Sequence, residues 1–167
     1  MHQISGENSK LHEKAIRELK KLVTKTKGDL KPKLVILYGS TARGDWHKGS
    51  DIDILVVSDN MPPNFKDRGD QFLTVIEGFP VEPHMYTTRE FEEMLNHGRM
   101  TALDALTEGT ILYAQKKYLK RVKKELEQTM KKLKPERISI GWRIRGPQLS
   151  HSSTVRRVIR EKQNETV

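Results

Sequence analysis

The sequence predicts an α/β or α+β protein in which helices pack against a layered sheet, and three observations lead to this prediction. Two short apolar runs, Lys33–Tyr38 and Asp51–Ser58, are typical of buried strands. Apolar residues recur at helical spacing over residues 7–27 and again over 116–134. Helical and strand-like segments also interleave along the chain, which favours a sheet flanked by helices.

The first elements surround a polar turn. Charged residues cover the outer faces of the 7–27 helix, and Gly28 is expected to stop it. Gly39-Ser40 ends the first strand, and a short helical turn can begin there. Residues 45–50 form a polar loop. Beyond its two carboxylates, the strand Asp51–Ser58 is apolar on both faces, which predicts a central strand covered on both sides.

The middle of the chain supplies the remaining elements of the core. After a turn rich in proline, a helix is expected over residues 65–76 and a third strand over 81–86. Thr88 can cap a helix that runs to about Asn96, because its hydroxyl can accept from the free amides of the first turn. Two further elements complete the core, a helix over 99–107 and a strand over 110–113.

Positive charge is concentrated in the last third of the chain. Residues 115–167 hold 16 Lys and Arg against 5 Asp and Glu, a net charge of +11, whereas residues 1–114 carry a net charge of −2. Residues 116–134 form a basic amphipathic helix, and Ile138–Arg145 alternates with the period of an edge strand whose outer face is basic. The charge indicates either a solvated helix face or a surface for nucleic acid or an acidic partner.

We expect a single domain with a basic tail. The core is expected over residues 1–114, the basic helix over 115–134, and a basic extension over 135–167 that could order only on a partner. Within that extension, Ser152 or Ser153 could cap a last short helix.

Composition narrows the class of protein. A chain of 167 residues with 35% apolar residues has room for one modest core. It contains no cysteine, which excludes a disulfide framework and a thiolate metal site. The first ten residues are polar, and no apolar run approaches the roughly 18 residues of a membrane span. We therefore expect a soluble, cytoplasmic protein that does not contact membranes.

The stretch Leu37–Val57 carries residues suited to metal and phosphate chemistry. Asp51 and Asp53 are two apart on a strand, so their carboxylates project from one face about 7 Å apart at Cα. Carboxylates and substrate phosphates are preferred ligands of Mg²⁺. Gly39 allows the backbone to approach a phosphate closely, and Ser40 offers a hydroxyl and an amide. Nearby, Arg43 could reach a phosphate and Ser50 precedes the first carboxylate, so both are included as nucleotide-binding candidates.

This pattern, Gly39-Ser40, ten residues, Asp51 and Asp53, resembles the signature of minimal nucleotidyltransferases in the DNA polymerase beta superfamily. The resemblance covers about residues 10–114 by element order and is sharp over 37–57. It implies a small mixed sheet flanked by helices, in which the two aspartates hold Mg²⁺, expected as two ions.

In that family a third carboxylate from the next strand usually completes the metal site and can act as a base. Glu82 is the only acid on the 81–86 strand, so the resemblance assigns it this role, with His84 as a weaker candidate. Pro83 cannot donate to a ladder, so the strand should lie at an edge or carry a bulge.

The resemblance implies ATP or another nucleoside triphosphate as donor, and three functions stay open. In the first, the chain is an antitoxin-type domain that transfers AMP to a small helical partner protein, docked on the basic helix and the 138–145 segment. In the second, it binds RNA or modifies RNA through its basic region. In the third, it is an inactive relative that serves as a scaffold.

Overall fold

The computed structural model describes residues 6–45, 47, 49–139 and 141–146. The helix expected at Ser152 or Ser153 lies outside these residues. In chain order the elements are α1 (Gly6–Leu30), β1 (Leu34–Leu37), α2 (Gly39–Arg43), β2 (Ile52–Val57), two 3₁₀ turns (Phe65–Asp67 and Asp70–Phe72), β3 (Val75–Ile76), β4 (Phe79–Tyr86), α3 (Thr88–Asn96), α4 (Met100–Glu108), β5 (Thr110–Ala114), α5 (Lys116–Leu133), β6 (Pro135–Ile138) and β7 (Gly141–Ile144).

A mixed five-stranded sheet lies at the centre, with strand order β3-β4-β2-β1-β5. β2 pairs with β1 in antiparallel and with β4 in parallel orientation. The outer strands β5 and β3 are antiparallel to their neighbours. The expected mixed sheet flanked by helices is therefore confirmed, with β2 at its centre as predicted.

Helices cover both faces of the sheet. On one face α1 packs through Ala15, Leu19 and Val23, together with Phe72. On the other face α3, α4 and α5 contribute the buried residues Phe91, Leu95, Ala102, Leu103, Ala105, Tyr118 and Val122. β2 supplies apolar side chains to both layers, which explains why its sequence shows no polar face beyond its carboxylates.

The basic helix α5 packs against the core along its apolar side. Tyr118, Val122 and Leu133 are buried, and Leu126 and Met130 are partly buried against the same layer. The predicted apolar stripe is thus confirmed, and the charged residues lie on the outer side. Among the described residues, no helix has the length and apolar character needed to cross a membrane.

The prediction of a helix over residues 65–76 is wrong. The structure has two 3₁₀ turns and the short strand β3 there, because Gly69 breaks the segment with φ +99°. A Cβ at Gly69 would lie 2.9 Å from Pro83 Cγ, so the chain passes close against β4. The Arg68 guanidinium donates to the carbonyls of Pro62, Pro63 and Met85 and to the Glu90 carboxylate, which holds the segment on β4.

Two helix ends differ from the predictions. α1 continues through Gly28 to Leu30, because Leu30 is buried and anchors the last turn. Thr87, rather than Thr88, is the N-cap of α3: its hydroxyl accepts from Glu90 N, and Glu90 accepts from Thr87 N, which forms a capping box. Thr88 donates its amide and its hydroxyl to Asp59 instead.

Residues 138–145 do not form the single edge strand that their alternation predicts. They belong to a hairpin of β6 and β7, in which Ile138 pairs with Gly141. Gly141 has φ +140°, and a Cβ there would lie 2.9 Å from Met100 Sδ, so the turn presses against α4. Two long-range contacts hold the hairpin: Trp142 Nε1 donates to Asp104 at 2.7 Å, and Arg137 Nε pairs with Glu108 at 2.9 Å.

The strand β4 satisfies the requirement set by Pro83. β3 pairs with β4 only at Pro80 and Phe79, whereas β2 pairs with residues 81–86 on the other side. Pro83 therefore lies where β4 is an edge strand, as expected from its missing amide hydrogen.

Asp59 is expected to make the stability of the fold depend on pH. Partial burial raises the pKa of Asp59, but the bonds from Lys33 and Thr88 outweigh that effect and lower the pKa to about 2. Because the folded-state pKa is depressed, Asp59 stabilises the fold above about pH 4, and this contribution is lost as the pH falls toward about 2. Since the side chain is 50% exposed, we expect solvent screening to limit it to about 1 kcal/mol or less.

Urea unfolding of the wild type and Asp59→Asn over this pH range measures the effect. The free energy of unfolding should differ between the two proteins near neutral pH and converge as the pH approaches about 2. A difference that stays constant with pH would show that the carboxylate charge is not its source.

Candidate active site

The parallel pairing of β2 and β4 brings two of the predicted acids side by side. Asp53 on β2 is the register partner of Glu82 on β4. The Asp53 side chain is 27% exposed and that of Glu82 is 55% exposed, so a ligand can reach both. Their distance in sequence is 29 residues, and only the sheet register makes them neighbours.

Gly39 brings backbone directly against Asp53. It begins α2 with φ +74°, a left-handed conformation that favours glycine. A Cβ at this position would lie 2.5 Å from Asp53 Oδ2, which is closer than real side-chain contacts. The amide of Tyr38 also donates to the Asp53 carbonyl at 3.0 Å. The turn at Gly39 and the carboxylate of Asp53 therefore form one compact unit.

α2 is tied to the beginning of β2. Thr41 is fully buried, and its hydroxyl donates to the Asp51 carbonyl at 3.2 Å. Ser40 lies in the first turn of α2 and is partly exposed. Asp51 lies just before β2 and is exposed. The predicted residues Gly39, Ser40, Asp51 and Asp53 thus lie on two adjoining segments.

A histidine joins the two neighbouring carboxylates. His84 Nε2 lies 3.5 Å from Asp53 Oδ1 and 3.7 Å from Glu82 Oε1. Across the described residues, ligand atoms of these three side chains lie within 4.8 Å of one another, and Asp51 is not part of that group. The nearby Asp53 carboxylate raises the pKa of His84 against the opposing effect of burial.

Tyr38 packs its ring against the imidazole. The two rings meet edge to face, with centroids 5.8 Å apart. Burial, reinforced by the Asp53 carboxylate, raises the pKa of Tyr38, so its phenol stays neutral. Sequence reasoning did not identify Tyr38 or Thr41. Their position on either side of Gly39-Ser40 was the available signal.

Two predicted nucleotide-binding side chains have protein partners. Arg43 pairs with Asp45 at 3.2 Å and with Glu108 at 3.5 Å. Ser50 is buried, and its hydroxyl accepts from the His47 amide at 2.9 Å. Arg43 lies at the end of α2 and Ser50 lies just before Asp51. In this structure both side chains are already bonded to other protein groups.

Comparison with known proteins agrees with this arrangement. The family model described as a nucleotidyltransferase domain matches residues 13–134, which includes α5. A Methanocaldococcus jannaschii protein assigned as a protein adenylyltransferase is 52% identical over 48 residues, which cover 28% of this chain and 46% of that protein. The chain thus matches less than half the length of this curated relative.

Two solved structures align with most of this chain. A Sulfolobus solfataricus protein assigned as a nucleotidyltransferase has a TM-score of 0.50 and 20% identity, over 70% of this chain and 95% of its own. A toxin–antitoxin structure with AMP-PNP has a TM-score of 0.46 and 17% identity, over 87% of this chain and 98% of its own. At 20% identity the likeness to the S. solfataricus protein concerns the fold alone.

The family match covers the sheet, the Gly39-Ser40 turn and all three predicted acids, Asp51, Asp53 and Glu82. It confirms the resemblance found in the sequence. The chain belongs to the nucleotidyltransferase domain family.

Proposed function

We propose that this enzyme transfers AMP from Mg²⁺-ATP to a side chain of a partner protein. The observation that carries the proposal is the meeting of Asp53 and Glu82 across the parallel strands, with the Gly39 backbone directly against Asp53. A triphosphate can approach a glycine turn closely, and adjacent carboxylates are suited to the metal ions that nucleotidyl transfer requires.

The donor set fits divalent metal ions. Asp53 and Glu82 offer the hard oxygen ligands that Mg²⁺ prefers. Over the part of the chain that the structure describes, neither carboxylate forms an ion pair with a lysine or arginine, and the side chain that lies between them is His84. Two such carboxylates repel each other, so a cation between them is favourable. We assign Asp51, Asp53 and Glu82 as ligands for two Mg²⁺ ions.

Each residue of the proposed site has a separate role in the reaction. When bound, the metal ions would stabilise the charge on the attacking and leaving oxygens. Gly39 and Ser40 hold the triphosphate through backbone approach and a hydroxyl, and Ser50 supports the loop before Asp51. Glu82 accepts the proton of the acceptor hydroxyl. The hydroxyl oxygen bonds to the α-phosphorus as pyrophosphate leaves. For Arg43 to contact a phosphate, it must exchange Asp45 and Glu108 for that phosphate.

A protein acceptor is favoured by the M. jannaschii relative, which is assigned as a protein adenylyltransferase. The exposed side of α5 and the β6–β7 hairpin form the docking surface in this proposal. We expect a small helical partner with an acidic face, and action in the cytoplasm, where ATP is available.

Labelling a host-cell lysate tests the acceptor. The purified chain is incubated with α-³²P-ATP, Mg²⁺ and lysate, beside Asp51→Asn and Asp53→Asn as controls. We expect label on a discrete band that protease removes and nuclease does not, and that both variants fail to produce. Label that nuclease removes would contradict a protein acceptor.

A second candidate, an RNA-directed transferase, is favoured by one observation. All seven lysines of α5 are exposed, and none takes part in the ion pairs found among the described residues. These lysines are Lys116, Lys117, Lys120, Lys123, Lys124, Lys131 and Lys132. Such a row suits a phosphate backbone, whose binding weakens steeply with salt. Titration of single-stranded RNA at two salt concentrations tests it, and absent or salt-insensitive binding would remove this candidate.

A further inference from the structure

The environment of His84 differs from that of a histidine on an ordinary strand surface. On β4, Glu82 and His84 are two apart and project from the same face, while the sheet register sets Asp53 beside Glu82. The edge-to-face contact with Tyr38 limits rotation of the imidazole. The side chain is 29% exposed, and its Nε2 is the ring atom that lies nearest to the two carboxylates.

The separations are longer than direct hydrogen bonds and within reach of a shared ion. An N–H···O bond has its donor and acceptor about 2.7–3.2 Å apart, whereas Nε2 lies 3.5 Å from Asp53 Oδ1 and 3.7 Å from Glu82 Oε1. Ligands at about 2.0–2.2 Å from one metal ion stand roughly 2.8–3.6 Å apart at octahedral or tetrahedral angles. Ligand atoms of the three side chains lie within 4.8 Å of one another, so modest side-chain rotations would bring all three to one ion.

We propose that His84 Nε2 is a metal ligand beside Asp53 and Glu82, so that one of the two ions has an imidazole in its coordination shell. Mg²⁺ strongly prefers oxygen ligands, whereas imidazole suits transition metals. The site therefore selects Mn²⁺ and similar dications over Mg²⁺ more strongly than carboxylates alone would. This inference rests on the proposed function only for the presence of an ion at Asp53.

The competing role for His84 is to orient Asp53 without touching the ion. The two roles differ in a property that does not depend on catalysis. An imidazole bound to Mn²⁺ transfers spin density to its nitrogen, which gives a ¹⁴N coupling in pulsed electron paramagnetic resonance (EPR). An imidazole that only orients a carboxylate gives no such directly bound nitrogen.

The experiment uses the full chain with Mn²⁺ alone as the probe. The wild type should bind Mn²⁺ and show the ¹⁴N coupling. His84→Ala and His84→Asn should lose the coupling and bind Mn²⁺ at least about tenfold more weakly. Their Mg²⁺ affinity, measured by competition, should change less than about threefold. His47→Ala is the matched control, because His47 contacts Ser50 just before Asp51 but is outside the three-residue group, and it should retain the coupling.

Four results would overturn the inference: no Mn²⁺ binding to the wild type, no ¹⁴N coupling in its complex, a coupling that persists in folded His84→Ala, or an equal loss of Mn²⁺ and Mg²⁺ affinity. Circular dichroism confirms that each variant is folded. Failure of the proposed function is distinguishable, because a nitrogen-coupled Mn²⁺ site without AMP transfer would leave this inference intact. AMP transfer with Mn²⁺ bound by oxygen alone would refute this inference only.

Discussion

Asp53→Asn is expected to reduce AMP transfer by at least about a thousandfold, because it removes a charged ligand at the point where the two strands and the Gly39 turn meet. The side chain is partly exposed and forms no ion pair with lysine or arginine in the described segments, so the fold should persist. Initial rates of label transfer from α-³²P-ATP, together with thermal unfolding, measure both parts of this prediction.

Asp29→Asn is the matched control for the charge change. Asp29 lies near the end of α1, close to where β1 begins, and β1 runs antiparallel to β2, so Asp29 is at the opposite end of the sheet from Asp53. It should transfer AMP at the wild-type rate. An Asp53→Asn protein that kept more than about a tenth of the activity would contradict a ligand role for Asp53.

Gly39→Ala is expected to damage both stability and activity. Alanine in the left-handed conformation costs about 1 kcal/mol, and its Cβ would meet Asp53 Oδ2 at 2.5 Å. Relief of that contact must move either the turn or the carboxylate. We expect a loss of about 1–3 kcal/mol in the free energy of unfolding and at least about a hundredfold loss of transfer.

Gly28→Ala is the control for glycine substitution as such. Gly28 lies inside α1, and a Cβ there would have no atom within 4 Å. Alanine should therefore stabilise the helix by about 0.5–1 kcal/mol without affecting transfer. Wild-type activity and stability in Gly39→Ala would show that the turn tolerates a side chain and that its contact with Asp53 is not needed.

Local patterns were sufficient to predict the centre of this fold. The apolar character of β2 beyond Asp53 predicted a strand buried on both faces, and the glycine after β1 predicted a turn. The interval between Ser40 and Asp51 carried the family resemblance, which in turn pointed to Glu82. These features depend on residues close together in sequence, where periodicity and turn chemistry are informative.

The errors arise where distant contacts determine the local structure. Arg68 lies in the segment predicted to be a helix, and its bonds to Met85 on β4 and Glu90 on α3 tie that segment to residues distant in sequence. Gly141 stands at the turn of the hairpin with a positive φ, and Met100 of α4 leaves no room there for a side chain. The approach of His84 and Glu82 to Asp53 depends on the register of β4 against β2, which alternation within one strand cannot specify.

Nucleotidyl transfer is tested most directly by comparing ATP labelled at the α-phosphate with ATP labelled at the γ-phosphate. Each is incubated with lysate and either the wild type or Asp53→Asn, so that subtraction removes the contribution of host kinases. We predict that the enzyme-dependent label on the acceptor comes from the α-phosphate only, while the γ-phosphate leaves in pyrophosphate. Enzyme-dependent label from the γ-phosphate, or none from the α-phosphate in any acceptor fraction, would contradict AMP transfer at Asp53.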